Sequence, residues 1–500
     1  MHHHPRNGKG PLARLVPTTI VLCLALAAPS VVLAGALALV VTNVNDSGPG
    51  SLRAAIEMAN TNSDPDTIVF DLPKPVQPIQ SASTLAITAP VTIDGYTQAD
   101  ATPNTLNIGT NAVLKVVIDG SNTPTGGMFQ IDASNVVLRG LVLSDARGIG
   151  VQYSTGDNGR IEGCFIGTNF SGTVSDGGGS HGIFTGATTT GITIGGPLPA
   201  QRNIVSGNST HGMRLTGDDA IVQGNLVGTD ATGTQSIPNG FNGISVEGEN
   251  VVIGSDVLSG PGLNVVRFNA DSGIAVSQGT SGVTILGNHI DSNGDLGINL
   301  ATPETEPVTP NDINDTDTGA NDRQNFPVIG EVLATPSQLG VFGRLDVPAS
   351  ANDASYTIRV FWSQACDSSG HGEGRIFVGA KDVLLSNNDQ NFSFTLGKGA
   401  DSGDVITATA TDNSTGNTSE FSKCYVIGSG PAVTCGDVTG DDYLTAPDAL
   451  SVLRAAVGST VCELCVCDVN DSEAVTTTDA LAVLRVAVGQ SVALNCPPCD

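Results

Sequence analysis

The chain has 500 residues, with 62 glycines, 4% aromatic and 14% charged residues, and a formal net charge of −28. This composition excludes a compact helical enzyme with a bulky core and fits a long β architecture whose tight turns use Gly and Asn at positive φ. The acidity excludes bulk electrostatic binding to nucleic acid or an anionic membrane, and favours cations, calcium above all, as partners.

At the N-terminus Arg6, Lys9 and Arg14 precede an apolar run from about Leu15, and the small residues of "VLAGALA" end at Ala38. The pattern predicts an export signal over 1–38 with an A-x-A-like cleavage site; a retained anchor is the alternative. Cleavage predicts a secreted protein, free or at the cell surface, with no membrane insertion afterwards.

Residues 39–300 open with "LVVTNVNDSGPGSLRAAIEMAN". A short strand and a turn lead to Ser51, the cap of a helix expected to bury Leu52, Ile56 and Met58. One helix ahead of a long β region suits the covered end of a solenoid. An internal repeat follows. "GCFIGTNFSGT" at 163–173 returns as "GNLVGTDATGT" at 224–234, 61 positions on, and Gly182-Ile183 returns as Gly243-Ile244. "RNIV" at 202–205 is echoed from Leu263. Short Val/Ile/Leu strands between Gly-Asn and Asp-Gly turns predict stacked coils of about 20 residues, three to each repeat.

On these repeats the region resembles the right-handed parallel β-helix family of pectin-lyase-like proteins. Asn208, Asn225 and Asn288, each after Gly, look like that family's stacking turn asparagines. "NDSGPGSLRAAI" resembles the leading segment of secreted bacterial β-helix proteins of the CSLREA type. The resemblance covers about half the chain and implies fold, not activity.

Residues 301–325 are rich in Pro, Asp and Thr and read as an acidic linker, in which Asp312, Asp315, Asp317 and Asp322 offer an alternative calcium site. From 326 to 428 about seven longer alternating strands predict a β-sandwich tied by Cys366 and Cys424. It resembles the Ig-like modules between bacterial surface domains. Tyr356, Phe361 and Trp362 are read as core, with a sugar-stacking platform as the alternative.

The segment 433–500 repeats one sentence. "DVTGDDYLTAPD" at 437–448 returns as "DVNDSEAVTTTD" at 468–479. Oxygen-bearing residues fall at loop positions 1, 3, 5, 9 and 12: Asp437, Thr439, Asp441, Thr445 and Asp448, with the carbonyl of Tyr443 at position 7. The second copy offers Asp468, Asn470, Ser472, the carbonyl of Ala474, Thr476 and Asp479. This is the ligand order of an EF-hand-type loop, in which one short segment surrounds a hard cation with oxygen. Each loop runs into an amphipathic stretch. Leu450, Leu453 and Val457 share one face, Leu481, Leu484 and Val488 another, and Gly458 and Gly489 end the helices.

Two such units resemble a type I dockerin, which implies calcium as cofactor and a cohesin-type protein as partner. Position 6, usually Gly in the family, is Asp442 and Glu473 here, and Ser472 replaces a carboxylate, so the second site is expected to bind more weakly. Positions 10 and 11, Ala446-Pro447 and Thr477-Thr478, make the halves inequivalent. Cys435, Cys462, Cys465, Cys467, Cys496 and Cys499 crowd this segment. Behind an export signal they are read as disulfides, of 15 possible connectivities; the C-x-x-C spacings leave zinc as the alternative.

For catalysis on the β-helix the candidates are Asp218 and Asp219, with Arg214 four positions before the pair. Paired carboxylates there resemble the acid and base of inverting polygalacturonases. His181, His211 and His289 lie in polar turns and are read as surface residues. Three functions remain: a component bound to extracellular polysaccharide and docked through its C-terminal module, a glycoside hydrolase or polysaccharide lyase, and a structural spacer or adhesin.

Overall fold

A computed structural model of the protein describes residues 38–123, 125–258, 260–300, 308–335, 337–428, 435–438, 444–460 and 462–497. The export signal expected over 1–38 lies, except for Ala38, outside the described residues. Among those described, no helix is long and apolar enough to cross a membrane.

From Ala38 to Asn299 the chain winds into three parallel sheets, of nine, eight and eight strands, which it visits in turn. The first runs from Ala38–Val41 to Thr284–Ile285, the second from Ile79–Gln80 to His289–Asp291, and the third from Leu85–Ile87 to Ile298–Asn299. Most strands are two to five residues long, enough to send one or two apolar side chains inward. Ile183, Met213, Ile244 and Ile274 align in adjacent coils of the third sheet and are fully buried. The interior is one continuous stack of Ile, Val and Leu, closed at the start by helix α1 (Leu52–Ala59).

Ser51 caps α1, its Oγ accepting from Ala54 N at 3.2 Å. Leu52, Ala55, Ile56 and Ala59 are buried, whereas Met58 turns to solvent because the covered face follows the 52–55–56–59 spacing.

The coils are longer than expected. Ile183 pairs with Met213 and Met213 with Ile244, so the 61-residue repeat holds two coils rather than three. Part of the extra length lies in paired excursions closed by the Thr168–Ser175 and Thr229–Ser236 bridges, whose turn chemistry imitates a coil boundary. The coil from Ile183 to Met213 instead carries the short turn Pro199–Gln201. The excursions stack on each other, Ala231 N donating to Gly172 O at 2.7 Å. Arg202, buried, donates to carbonyls, among them Gly224 O at 2.9 Å and Asn107 O at 2.9 Å.

Two asparagine ladders run through the turns. Asn203, Asn225, Asn264 and Asn288 form one, each Nδ2 donating to the next Oδ1 at 2.9, 3.0 and 2.9 Å. Asn208, Asn239, Asn269 and Asn293 form the other, with 2.9 Å at every step. Asn225 and Asn288 stack as expected; Asn208 belongs to the second column because it follows the second sheet, not the first.

Seven strands from Val328–Ala334 to Tyr425–Val426 make two antiparallel sheets, of three and four strands, around a shared core. Cys366 and Cys424 are bonded. Tyr356 and Phe361 are core residues, not a platform: Tyr356 packs between the sheets, while Phe361 joins Phe377 and Phe421 against the interior of the solenoid. The preceding segment is held rather than loose over its described part. Asn321 is fully buried and donates to Val283 O at 2.7 Å, and Asn325 N donates to Asp315 at 2.9 Å.

The C-terminal part contains helices α2 (Ala446–Ala456), the single turn α3 (Leu464–Cys467) and α4 (Thr477–Ala487). Ala449, Val452, Ala480 and Val483 pack α2 on α4. Gly458 and Gly489, at φ 73° and 77°, end these helices in the left-handed conformation that glycine adopts without strain. Ser459 N reaches back to Arg454 O at 2.8 Å and Gln490 N to Arg485 O at 2.9 Å. Cys435–Cys496 and Cys462–Cys467 are bonded and Cys465 is oxidised as well, so the zinc alternative fails: Cys462 is spent on Cys467.

Candidate functional site

The second acidic loop begins where α3 stops and ends as the cap of α4. Asp468 and Asp479, at its first and twelfth positions, have side chains fully removed from solvent. Asp468 Oδ1 accepts from Ser472 N at 2.9 Å and from Ser472 Oγ at 3.2 Å. Asp479 Oδ2 accepts from Thr476 N at 2.8 Å and Thr476 Oγ1 at 2.7 Å, closing a capping box. The remaining oxygens, Asp468 Oδ2 and Asp479 Oδ1, are buried without a hydrogen-bond partner among the described residues. Leaving a charged oxygen buried and unpaired is costly, so such a pair is stable only where something positive joins it. Although burial opposes it, the amides of Ser472, Glu473 and Asn470 and the Ser472 hydroxyl hold the Asp468 carboxyl below its ordinary value.

Other oxygen-bearing groups of the loop contact one another. Ser472 Oγ lies 3.2 Å from Ala474 O, and Asn470 Nδ2 lies 3.4 Å from Thr478 Oγ1. Asp471 and Glu473 take φ of 54° and 63°, so the sixth position does need the left-handed turn, here made by a residue with a Cβ. In the first loop Asp437 and Asp448 are buried, and Thr445 repeats the capping box on Asp448 at 2.9 and 2.7 Å. Thr439, Asp441 and Tyr443 lie outside the described residues. The residue types, burial and orphaned oxygens fit a hard divalent cation.

The apolar faces of the two helices point outward. Leu450 and Leu481 are each 47% exposed, and with Leu453, Leu484, Ala446 and Thr477 they line a shallow apolar groove between α2 and α4. The sequence places these leucines on one face correctly, but alanine and valine make the helix–helix contact.

Asp218 and Asp219 stand exposed at a corner between the third and first sheets. Asp218 Oδ1 accepts from Glu249 N at 2.8 Å, and Asp219 sits at φ 56°. Arg214 turns to Glu247, its Nε and Nη2 donating at 2.7 and 3.3 Å. Arg214 thus belongs to a cluster that the sequence reading missed, on the outer face of the third sheet. His181 and His211 stack with centroids 5.3 Å apart, Phe241 lies 5.6 Å beyond, and the Arg214 guanidinium sits 6.0 Å over Phe184. Burial drives both imidazoles down to about 4, so they are neutral near pH 7. The overlooked signal was register: Phe184, Arg214 and Ser245 are aligned across adjacent strands. His289, half-buried in the second sheet, is likewise driven down to about 4 by burial.

Asp312, Asp315 and Asp317 bring one carboxylate oxygen each within 4.8 Å of one another. Burial pushes Asp315 up to about 7 and Asp317 up to about 6. Asp322 instead accepts from Asn417 Nδ2 at 2.9 Å.

No family model matches the chain, and no curated protein does. Among solved structures it is similar to the A-module of mannuronan C-5 epimerase AlgE4 of Azotobacter vinelandii, at 14% identity and a TM-score of 0.29, over 52% of this chain and 73% of that one. It is also similar to the Dettilon tailspike protein, at 13% identity and a TM-score of 0.27, over 69% and 89% of the two chains. The fold assignment stands on the strand pairings described above, not on these likenesses.

Proposed function

We propose that the protein is a secreted, modular calcium-binding component that associates with polysaccharide and docks through a dockerin-like C-terminal module onto a cohesin-type partner. The observation that carries this reading is the pair of buried, unpartnered oxygens on Asp468 and Asp479, at the first and last ligand positions of the second loop. Calcium would be held there by Asp468, Asn470, Ser472, the Ala474 carbonyl, Thr476 and Asp479, and in the first loop by Asp437, Thr439, Asp441, the Tyr443 carbonyl, Thr445 and Asp448. Bound calcium supplies positive charge; the chain supplies Thr445 and Thr476, which tie each loop to the start of its helix. The exposed leucine groove supports a protein partner, because an uncovered apolar face on a small module marks a contact surface. Disulfides support an oxidising compartment, hence export. The sandwich is the Ig-like module of this reading.

Calorimetric titration of the full chain with calcium tests the proposal. Two sites are expected, the second weaker, and heat from neither would end it. Capture of a cohesin domain that is abolished by EDTA tests the partner. The ring and Arg–Glu cluster around His211 supports glycan contact, since aromatic faces and fixed hydrogen-bonding groups suit sugar rings. It also sustains the alternative of a hydrolase or lyase on the β-helix. Release of reducing or unsaturated ends from pectic glycans, lost in Asp218→Ala/Asp219→Ala, would establish that alternative; no release removes it.

A further inference from the structure

The far end of the solenoid presents three strand edges, and the two-sheet domain meets all three. On the first sheet Thr418 N donates to Val283 O at 3.3 Å and Ile285 N to Thr418 Oγ1 at 2.9 Å. On the second, Ile290 N donates to Gly374 O at 2.8 Å. Beside the third, Leu300 N donates to Glu420 Oε1 at 2.8 Å. An asparagine ladder finishes in the same place. Asn269 sends its backbone N and its Nδ2 to Asn293 Oδ1 at 3.2 and 2.9 Å. Asn293 sends the same two donors to Glu373 Oε1, at 3.1 and 2.9 Å. Glu373 therefore fills the position of the next rung, although it belongs to another domain. Its other oxygen accepts from Ser292 N.

We propose that residues 328–426 are the terminating cap of the solenoid, a false final coil that keeps the end of the stack from pairing with a second copy of this chain. Unpaired parallel edges above an apolar interior are templates for further strands, and a long solenoid must cover them. Every feature of the seam serves that cover. Phe361, Phe377 and Phe421 close the interior. Gly374 is the residue that can lie there, because a Cβ would stand 2.6 Å from Phe361 and 2.8 Å from Phe421. Arg359, itself buried, fixes the domain with two bonds of 2.8 Å to Asp256 on the solenoid.

The test is hydrogen exchange and sedimentation velocity on the full chain carrying Glu373→Ala, with Glu373→Gln as the milder variant that keeps one acceptor oxygen. In Glu373→Ala, exchange over 289–300 is expected to rise by about tenfold or more, while 116–166 and Val405–Asp412 keep their protection and concentration-dependent association appears. Glu373→Gln should show the same pattern, weaker, and decides the matter if the alanine variant does not fold. Unmoved exchange over 289–300 in both variants overturns the rung. A loosened last coil in a chain that stays monomeric at every concentration overturns the blocking role.

Discussion

Glu473 sits at φ 63° in the sixth position of the second acidic loop, where a residue with a Cβ costs about 1 kcal/mol. Glu473→Gly is expected to remove that strain and raise the melting temperature of the module, with no change in the number of ions bound. Asp468→Asn takes away half of the buried carboxylate pair, and calorimetry of the full chain should then count one ion fewer. Retention of both ions would reassign the loop. At this scale the sequence spoke clearly wherever a local rule applied. Ser51 as a cap and Gly458 and Gly489 as helix stops follow from backbone chemistry within a few positions. Glu373 did not announce itself, because its partner Asn293 lies 80 residues earlier and only the folded chain joins them.

The asparagine ladders are elements in their own right, columns of side chains bonded as regularly as a strand. Asn239 stands mid-column, receiving Asn208 N and Nδ2 and donating to Val205 O and Asn269. Asn239→Ala leaves those buried groups unsatisfied and is expected to cost on the order of 3 kcal/mol in denaturant unfolding. The seam adds a pH dependence. Glu420 is buried against the amides of Leu300 and Thr309, and burial pushes its carboxyl up from 4.5 to about 7. Asp295 adds to that rise and Arg323 opposes it. A folded value above the unfolded one means the contribution is complete below the unfolded value and is lost as pH climbs through the folded one. The melting temperature should fall between about pH 5 and about pH 8, and Glu420→Gln should flatten that fall. Strand positions were legible from short runs of Val, Ile and Leu; sheet membership was not, as Asn208 shows by standing in the second ladder. Coil length was not, because the excursions at 168–175 and 229–236 use the same Gly, Asn and Thr as true corners.

Taken whole, the protein is a stack of coils sealed at both ends, followed by a small helical module. The sealing helix at the front was readable, since its spacing and cap are local; the seal at the back was not, since the strands of a two-sheet antiparallel domain look alike whether they bind, space or cover. The terminal module should answer to metal alone: chelation is expected to lower the helical signal in circular dichroism while the β signal of the coils persists. Cooperative loss of both would mean that the parts are not independent.

Cys435, just inside the module, is bonded to Cys496, near its other end. A pull applied between residues 435 and 496 is carried by that sulfur tie, and the acidic loops and helices between them are bypassed. Drawing those two residues apart therefore cannot unravel the segment while the sulfur tie is intact.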